Sequence, residues 1–215
     1  MANKDAKFVF GVDLDGVCAN FIEGLRPIAA EWLGVAVDTL PTEVTYGFPE
    51  WHLERIAKDD PNEPAYEKLH RFAITQKQLF ERLEPIAGAA VALRRLSFVH
   101  DVRVRIITHR LFIPHFHQTA IVQTVQWLEK HGIPYYDLCF MESKGAVGAN
   151  LYIDDTPKNI EALSEKHNVI IFSNSTNRDI QGRRANNWNE VEQIVLERQQ
   201  EWKAQGGEGA RSSGT

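Results

Sequence analysis

The residues able to do chemistry sit at the ends of apolar runs. "FVFGVDLDGV" places Asp13 and Asp15 directly after an apolar stretch, with Gly16 next. "VRVRIITHR" ends in Thr108, His109 and Arg110. "NLYIDD" ends in Asp154 and Asp155, and Lys144 precedes Asp154 by ten residues. A carboxylate at a strand end can attack phosphorus and form an aspartyl phosphate. A second carboxylate two residues on lies on the same side of an extended chain but further out. There it can protonate a leaving oxygen and later deprotonate water. Three carboxylates in one small site require a cation, and Mg²⁺ takes one or two of them together with water and phosphate oxygens. A threonine hydroxyl and a lysine can hold phosphoryl oxygens as charge develops, and the lysine also screens repulsion between the acids.

For these groups to act together, the elements carrying them must share one edge. Residues 7–13, 102–108, "YYDLCF", "ANLYID" and "NVIIF" read as strands. Helical patterns alternate with them. One covers residues 19–34, blemished by Pro27. Another is "EPAYEKLHRFAITQKQLFERL", and a third is "PIAGAAVALRRLS", opened by Pro85 at its first position. "IPHFHQTAIVQTVQWLEKHG" follows, stopped by Gly132, and "TPKNIEALSEKH" is capped by Thr156 and opened by Pro157. "NEVEQIVLERQQEW" closes the series. Strand–helix alternation predicts an α/β fold, a Rossmann-like parallel sheet with helices on both faces. Such sheets bind ligands at the carboxyl ends of their strands, where strand order reverses.

The predicted organisation is a core of residues 1–18 and 85–203, with a small helical cap, residues 19–84, inserted after the first strand. Residues 204–215 are small and polar, and are expected to be a disordered tail. The chain has 215 residues and a formal net charge of −5, which gives no electrostatic support for a nucleic-acid polymer as partner. Two cysteines, Cys18 and Cys139, lack metal or redox spacing and fit a reducing compartment. No apolar run reaches membrane-spanning length, so the expectation is a cytoplasmic protein with no membrane partner.

"DLDGV", "IITHR", Lys144 and "IDD" resemble motifs one to four of the haloacid dehalogenase-like (HAD) phosphohydrolases, in that family's order. A DxD alone would be weak, since glycosyltransferases and calcium loops share it, and receiver domains also combine acids, threonine and lysine. Within the superfamily the chain resembles the 5′(3′)-deoxyribonucleotidase branch, which has "DGV" followed by an acid and a phenylalanine, a helical cap, and "IDD" ten residues after its lysine. Two positions depart from that branch. Asn20 stands where it has the acid, and His109 and Arg110 follow Thr108 where it has serine and proline.

The resemblance implies a Mg²⁺-dependent phosphomonoesterase for a small phosphorylated substrate, with nucleoside (deoxy) 5′-monophosphates expected. The alternatives are another small phosphate ester, or a catalytically weak module that binds a phosphorylated ligand. By the same resemblance Asp13 is nucleophile and metal ligand. Asp15 is general acid/base and gives its carbonyl to the metal. Asp154 binds the metal, and Asp155 supports it. Thr108 and Lys144 hold the phosphoryl group, and Phe21 lies near the base. Arg110 either reaches a second anionic group or makes a surface salt bridge. His115 and His117, two apart on an expected helix, do not share a face and are not read as ligands. Tyr46, Phe48 and Trp51 are read mainly as packing of the cap.

Overall fold

The computed structural model describes residues 7–56, 64–165 and 167–207. Six parallel strands form one sheet: β1 (Val9–Val12), β2 (Arg103–Thr108), β3 (Asp137–Phe140), β4 (Leu151–Asp154), β5 (Val169–Phe172) and β6 (Arg184–Ala185). Their order is β3-β2-β1-β4-β5-β6. The chain builds outward from β1 on one side, then crosses back to add β4 on the other. The reversal therefore lies beside β1, where Val12 pairs with Ile106 of β2 and with Ile153 of β4. The residues just past these pairs are Asp13, Ile107 with Thr108, and Asp154.

The period-2 alternation of the strands sends side chains to two faces. Phe10, Val12, Val104, Ile106, Ile153 and Ile170 join the larger core cluster. That face is covered by α4 (Ala89–Phe98), α5 (His117–His131) and α7 (Trp188–Ala204), whose buried apolar residues belong to the same cluster. Ile107, Ala149 and Tyr152 form a smaller cluster on the other face with Leu163 of α6 (Pro157–Ser164). Gly11 is forced to be small, because a Cβ there would meet both Ile107 and Tyr152 at 2.9 Å.

Between β1 and α4 the chain forms α1 (Phe21–Leu33), α2 (Ala65–Lys77) and α3 (Leu79–Arg82), with short 3₁₀ turns at residues 37–39, 49–51 and 53–55. The strands of chain leaving and re-entering the core are tied together. Asn20 N–H donates to the Glu84 carbonyl and Ile86 N–H to the Cys18 carbonyl, at 2.8 and 2.7 Å. Pro85 therefore lies in a short antiparallel bridge with Ala19, and does not open a helix. The helix begins four residues later, after Gly88 turns the chain at φ 87°. The single helix expected through residues 63–83 breaks at Gln78, which adopts φ 54° and caps α2. His115 is at φ 69° before α5, and His117 is the helix's first residue. Gly132 ends α5 in the left-handed region, as the sequence implied. Thr156 precedes α6, but its side chain makes no capping bond. Strand β6 was not anticipated. The expected tail falls in the last turn of α7 and in residues 205–207; the rest lies outside the described residues. Among these, no helix is long and apolar enough to cross a membrane.

Candidate active site

The carboxyl ends of β1, β2 and β4 open into a cavity of about 540 Å³. Its floor is charged. Asp13, 6 % exposed, accepts the Leu14 N–H on Oδ1 at 2.8 Å. Its Oδ2 lies 2.8 Å from the Lys144 Nζ. Lys144 starts a 3₁₀ turn ahead of β4, and its Nζ also donates to Asp154 Oδ2 at 2.7 Å. The other Asp154 oxygen accepts Thr156 N–H at 3.0 Å and the Asn159 amide at 3.2 Å. Asp155 Oδ2 accepts the Asn174 amide at 2.6 Å, and its carbonyl accepts the Asn177 amide at 2.7 Å. Gly16 is required twice over: it turns at φ +77°, and a Cβ there would lie 2.0 Å from Asp155 Oδ2.

Asp13, Asp154 and Asp155 each bring one oxygen within 4.8 Å of the others. Burial pushes the Asp13 carboxyl up, against the pull of the Lys144 ammonium, and the neighbouring Asp154 and Asp15 push it further. Burial also raises Asp155 well above the ordinary carboxylate range, with Asp13 and Asp154 adding to it. Burial opposes the charge on Lys144, but Asp13 and Asp154 outweigh it and raise its pKa. Ionised together, the three buried carboxylates would carry two more negative charges than Lys144 balances, which is why Asp13 and Asp155 hold protons more tightly than ordinary carboxyls. Hard oxygen donors with that deficit suit a divalent cation such as Mg²⁺.

Asp15 stands apart from this group. Both its carboxylate oxygens are taken by Arg110, whose Nη2 and Nε donate at 2.6 and 2.9 Å. The Arg110 side chain is 1 % exposed and Asp15 is 26 % exposed. Arg110 also donates to Thr124 Oγ1 at 3.1 Å and lies 4.1 Å over the Phe80 ring. Of the two expected roles the salt bridge is present, though buried and not at the surface, and Arg110 also lines the cavity. It is buried, and its fork is spent on Asp15. Thr108 lies at the end of β2, 1 % exposed, and lines the cavity with Asp13, Asp15 and Lys144.

The opposite wall is aromatic. Phe21, the first residue of α1, lines the cavity and meets His70 edge-on at 5.8 Å. Tyr66 and His70 share a face of α2 at i, i+4, with their rings stacked 5.6 Å apart. Phe112, in the turn after β2, stacks on His70 at 4.5 Å. Tyr46, 62 % exposed, stands at the rim, whereas Trp51 is buried and donates to the Pro41 carbonyl in the segment between α1 and α2. Phe48 does both: it packs on Trp51 and lines the cavity. Tyr66, His70, Phe112 and the two asparagines on Asp155 were not singled out in the sequence. Only the i, i+4 pair left a signal there, and it reads equally well as packing.

A family model described as "5' nucleotidase, deoxy (Pyrimidine), cytosolic type C protein" matches residues 7–201. A protein of Chlorobaculum tepidum named "Putative 5'(3')-deoxyribonucleotidase" is 50 % identical over 188 residues, 87 % of this chain and 89 % of that one. The mitochondrial 5′(3′)-deoxyribonucleotidase of Mus musculus is 28 % identical over 199 residues, 86 % and 84 % of the two chains. Among solved structures, a HAD-superfamily hydrolase of Geobacter sulfurreducens superposes with a TM-score of 0.53 at 13 % identity, covering 91 % of this chain and all of the other, which is a likeness of fold. The chain therefore belongs to the cytosolic type C family of 5′ deoxynucleotidases, a branch of the HAD phosphohydrolases.

Proposed function

We propose that this chain hydrolyses deoxynucleoside 5′-monophosphates to nucleoside and phosphate through an aspartyl phosphate on Asp13. One observation carries the reading: a buried carboxylate at the end of β1, held 2.8 Å from a lysine, faces a cavity whose far wall is aromatic. In this account an Asp13 oxygen bonds to phosphorus as the ester oxygen leaves with a proton from Asp15. A water then gives a proton to Asp15 and its oxygen to phosphorus, which frees Asp13 and phosphate. The Thr108 hydroxyl and the Lys144 ammonium hold the non-reacting phosphoryl oxygens. Mg²⁺, held by Asp13, Asp154 and the Asp15 carbonyl with Asp155 alongside, would supply further positive charge to the phosphoryl group.

Arg110 has a place in this scheme as a positioning residue. Its fork fixes the carboxylate of Asp15, and one oxygen of Asp15 must turn toward the cavity to deliver its proton. The base would lie against Phe21 and the aromatic wall, where stacking is worth about 1–3 kcal/mol. That is enough to rank nucleotides above sugar phosphates of equal charge.

The test is a comparison of kcat/KM across deoxynucleoside monophosphates, ribonucleotides, deoxyribose 5-phosphate and phosphoglycolate, with Mg²⁺ and with excess chelator. The expected result is that nucleotides lead by about tenfold or more, with activity abolished by chelation. A lead for the small acids or sugars would remove the nucleotide assignment, and full activity in chelator would remove the metal.

A further inference from the structure

His70 is the least satisfied polar residue of the cavity wall. It is 2 % exposed, and neither ring nitrogen has a hydrogen-bond partner. Rings surround it: Phe112 and Tyr66 stack on it, while Phe21 and Phe80 meet it edge-on. Desolvation holds the imidazole neutral. A neutral imidazole carries one N–H donor and one lone-pair acceptor, and buried polar atoms are rarely left unpaired. A phenylalanine would fill the same slot with no such penalty. Water is a poor candidate partner, because a buried water typically makes about three hydrogen bonds and the surrounding rings offer it only the Tyr66 hydroxyl. The rings seal both nitrogens, so a group that reaches one must part the rings and itself enter among them, with apolar faces and a polar edge.

We infer that His70 reads the polar edge of the substrate's base. The inference rests on the nucleotide reading of the cavity and adds a specificity-determining residue to it. A neutral imidazole can carry its proton on either nitrogen. The nitrogen that faces the ligand can thus donate to an exocyclic oxygen or accept from an exocyclic amine. His70 accordingly separates base-bearing from base-free substrates, and discriminates little between an oxo and an amino edge.

The variant His70→Phe keeps the ring and its packing and deletes both nitrogens. It is to be assayed on deoxyuridine and deoxycytidine monophosphates, on deoxyribose 5-phosphate and on p-nitrophenyl phosphate, with the thermal midpoint measured alongside. The expected result is a loss of about tenfold in kcat/KM on both nucleotides. The two base-free esters should be unchanged, and the midpoint unchanged or higher. A purely structural His70 would lower all four substrates together and drop the midpoint, and either outcome overturns the inference; a loss on one nucleotide alone overturns the tautomer argument.

Histidine ring-nitrogen NMR of the wild-type protein with deoxyuridine added gives a second readout that needs no turnover. The His70 resonances should move on binding, and their indifference to a saturating nucleoside would overturn the proposal. The two readings fail separately. If the wild type hydrolyses no nucleotide but His70 responds to the nucleoside, the substrate assignment falls. If the wild-type lead for nucleotides survives in His70→Phe, the role of His70 falls alone.

Discussion

The two walls of the cavity solve opposite problems. On the strand-edge wall Asp13, Lys144 and Asp155, with Asp154 behind them, are nearly sealed from water, and each holds a charged or amide partner at 2.6–2.8 Å. On the aromatic wall the rings of Phe21, Tyr66 and Phe112 surround one imidazole whose nitrogens have no partner. The first wall is fixed by its own interactions, as groups that must meet a phosphorus atom in line need to be. The second carries an unmet demand that belongs to a ligand. Under the proposed function the difference sets chemistry and choice apart: the sheet edge transforms the substrate, and the aromatic wall selects it. Substitutions in the first wall should therefore affect every substrate, and substitutions in the second only those bearing a base.

The largest effect is expected for Asp13→Asn. The amide is isosteric and Lys144 keeps Asp154, so the fold should persist while turnover falls by about a thousandfold or more. A variant that retained a tenth of wild-type kcat on any ester would break the assignment. Asp15→Asn comes next and should split substrates by leaving group. Alkyl phosphates should lose about 10²–10⁴ in kcat, and p-nitrophenyl phosphate, whose phenolate leaves without a proton, far less. Equal losses would show that Asp15 does not carry the proton.

Arg110→Met removes both charged hydrogen bonds from Asp15 and touches no other acid of the floor. We expect about a 10- to 100-fold fall in kcat on alkyl phosphates, with KM little changed. Arg110→Lys should restore part of it. A rise in KM with kcat intact would mean that the arginine binds substrate directly.

The smallest effect separates the walls by stability. Desolvation holds the His70 pKa down to about 3, with Asp15 and Arg110 acting in opposite directions on it. Between that value and the ordinary 6.5 the unfolded chain binds the proton and the folded one does not. Stability contributed by this group is therefore full above about pH 6.5 and is lost as pH falls toward 3. At pH 5 the loss should be on the order of 2 kcal/mol relative to pH 7. Denaturant unfolding at the two pH values should show a shallower acid loss in His70→Phe than in wild type; identical slopes would contradict the buried neutral ring.

The strand-edge wall was legible because its physics is local. Strands β1, β4 and β5 are short apolar runs and β2 ends in one, and Asp13, Thr108 and Asp154 sit at or beside strand ends, so strand order gathers them, while Lys144 joins them from the 3₁₀ turn ahead of β4. Strand β6 has two residues and no pattern to read. The aromatic wall depends on contacts between distant segments: Phe21 from α1, Tyr66 and His70 from α2, and Phe112 from a turn after β2. Nothing in "AYEKLHRF" distinguishes a cavity-lining face from a packed one. The break at Gln78 and the bridge at Pro85 were likewise invisible, since tertiary pairing overrides a helical pattern there. Arg110 was ambiguous for the same reason, as its partner lies 95 positions away in sequence.

The most direct test of the account is to trap the intermediate. A single turnover of a radiolabelled deoxynucleoside monophosphate, quenched in acid and reduced with borohydride, should leave label on the protein before reduction. Afterwards it should leave homoserine at position 13, with neither product formed in Asp13→Asn. Complete hydrolysis with no labelled protein at any quench time, or reduction mapped to another aspartate, would contradict it.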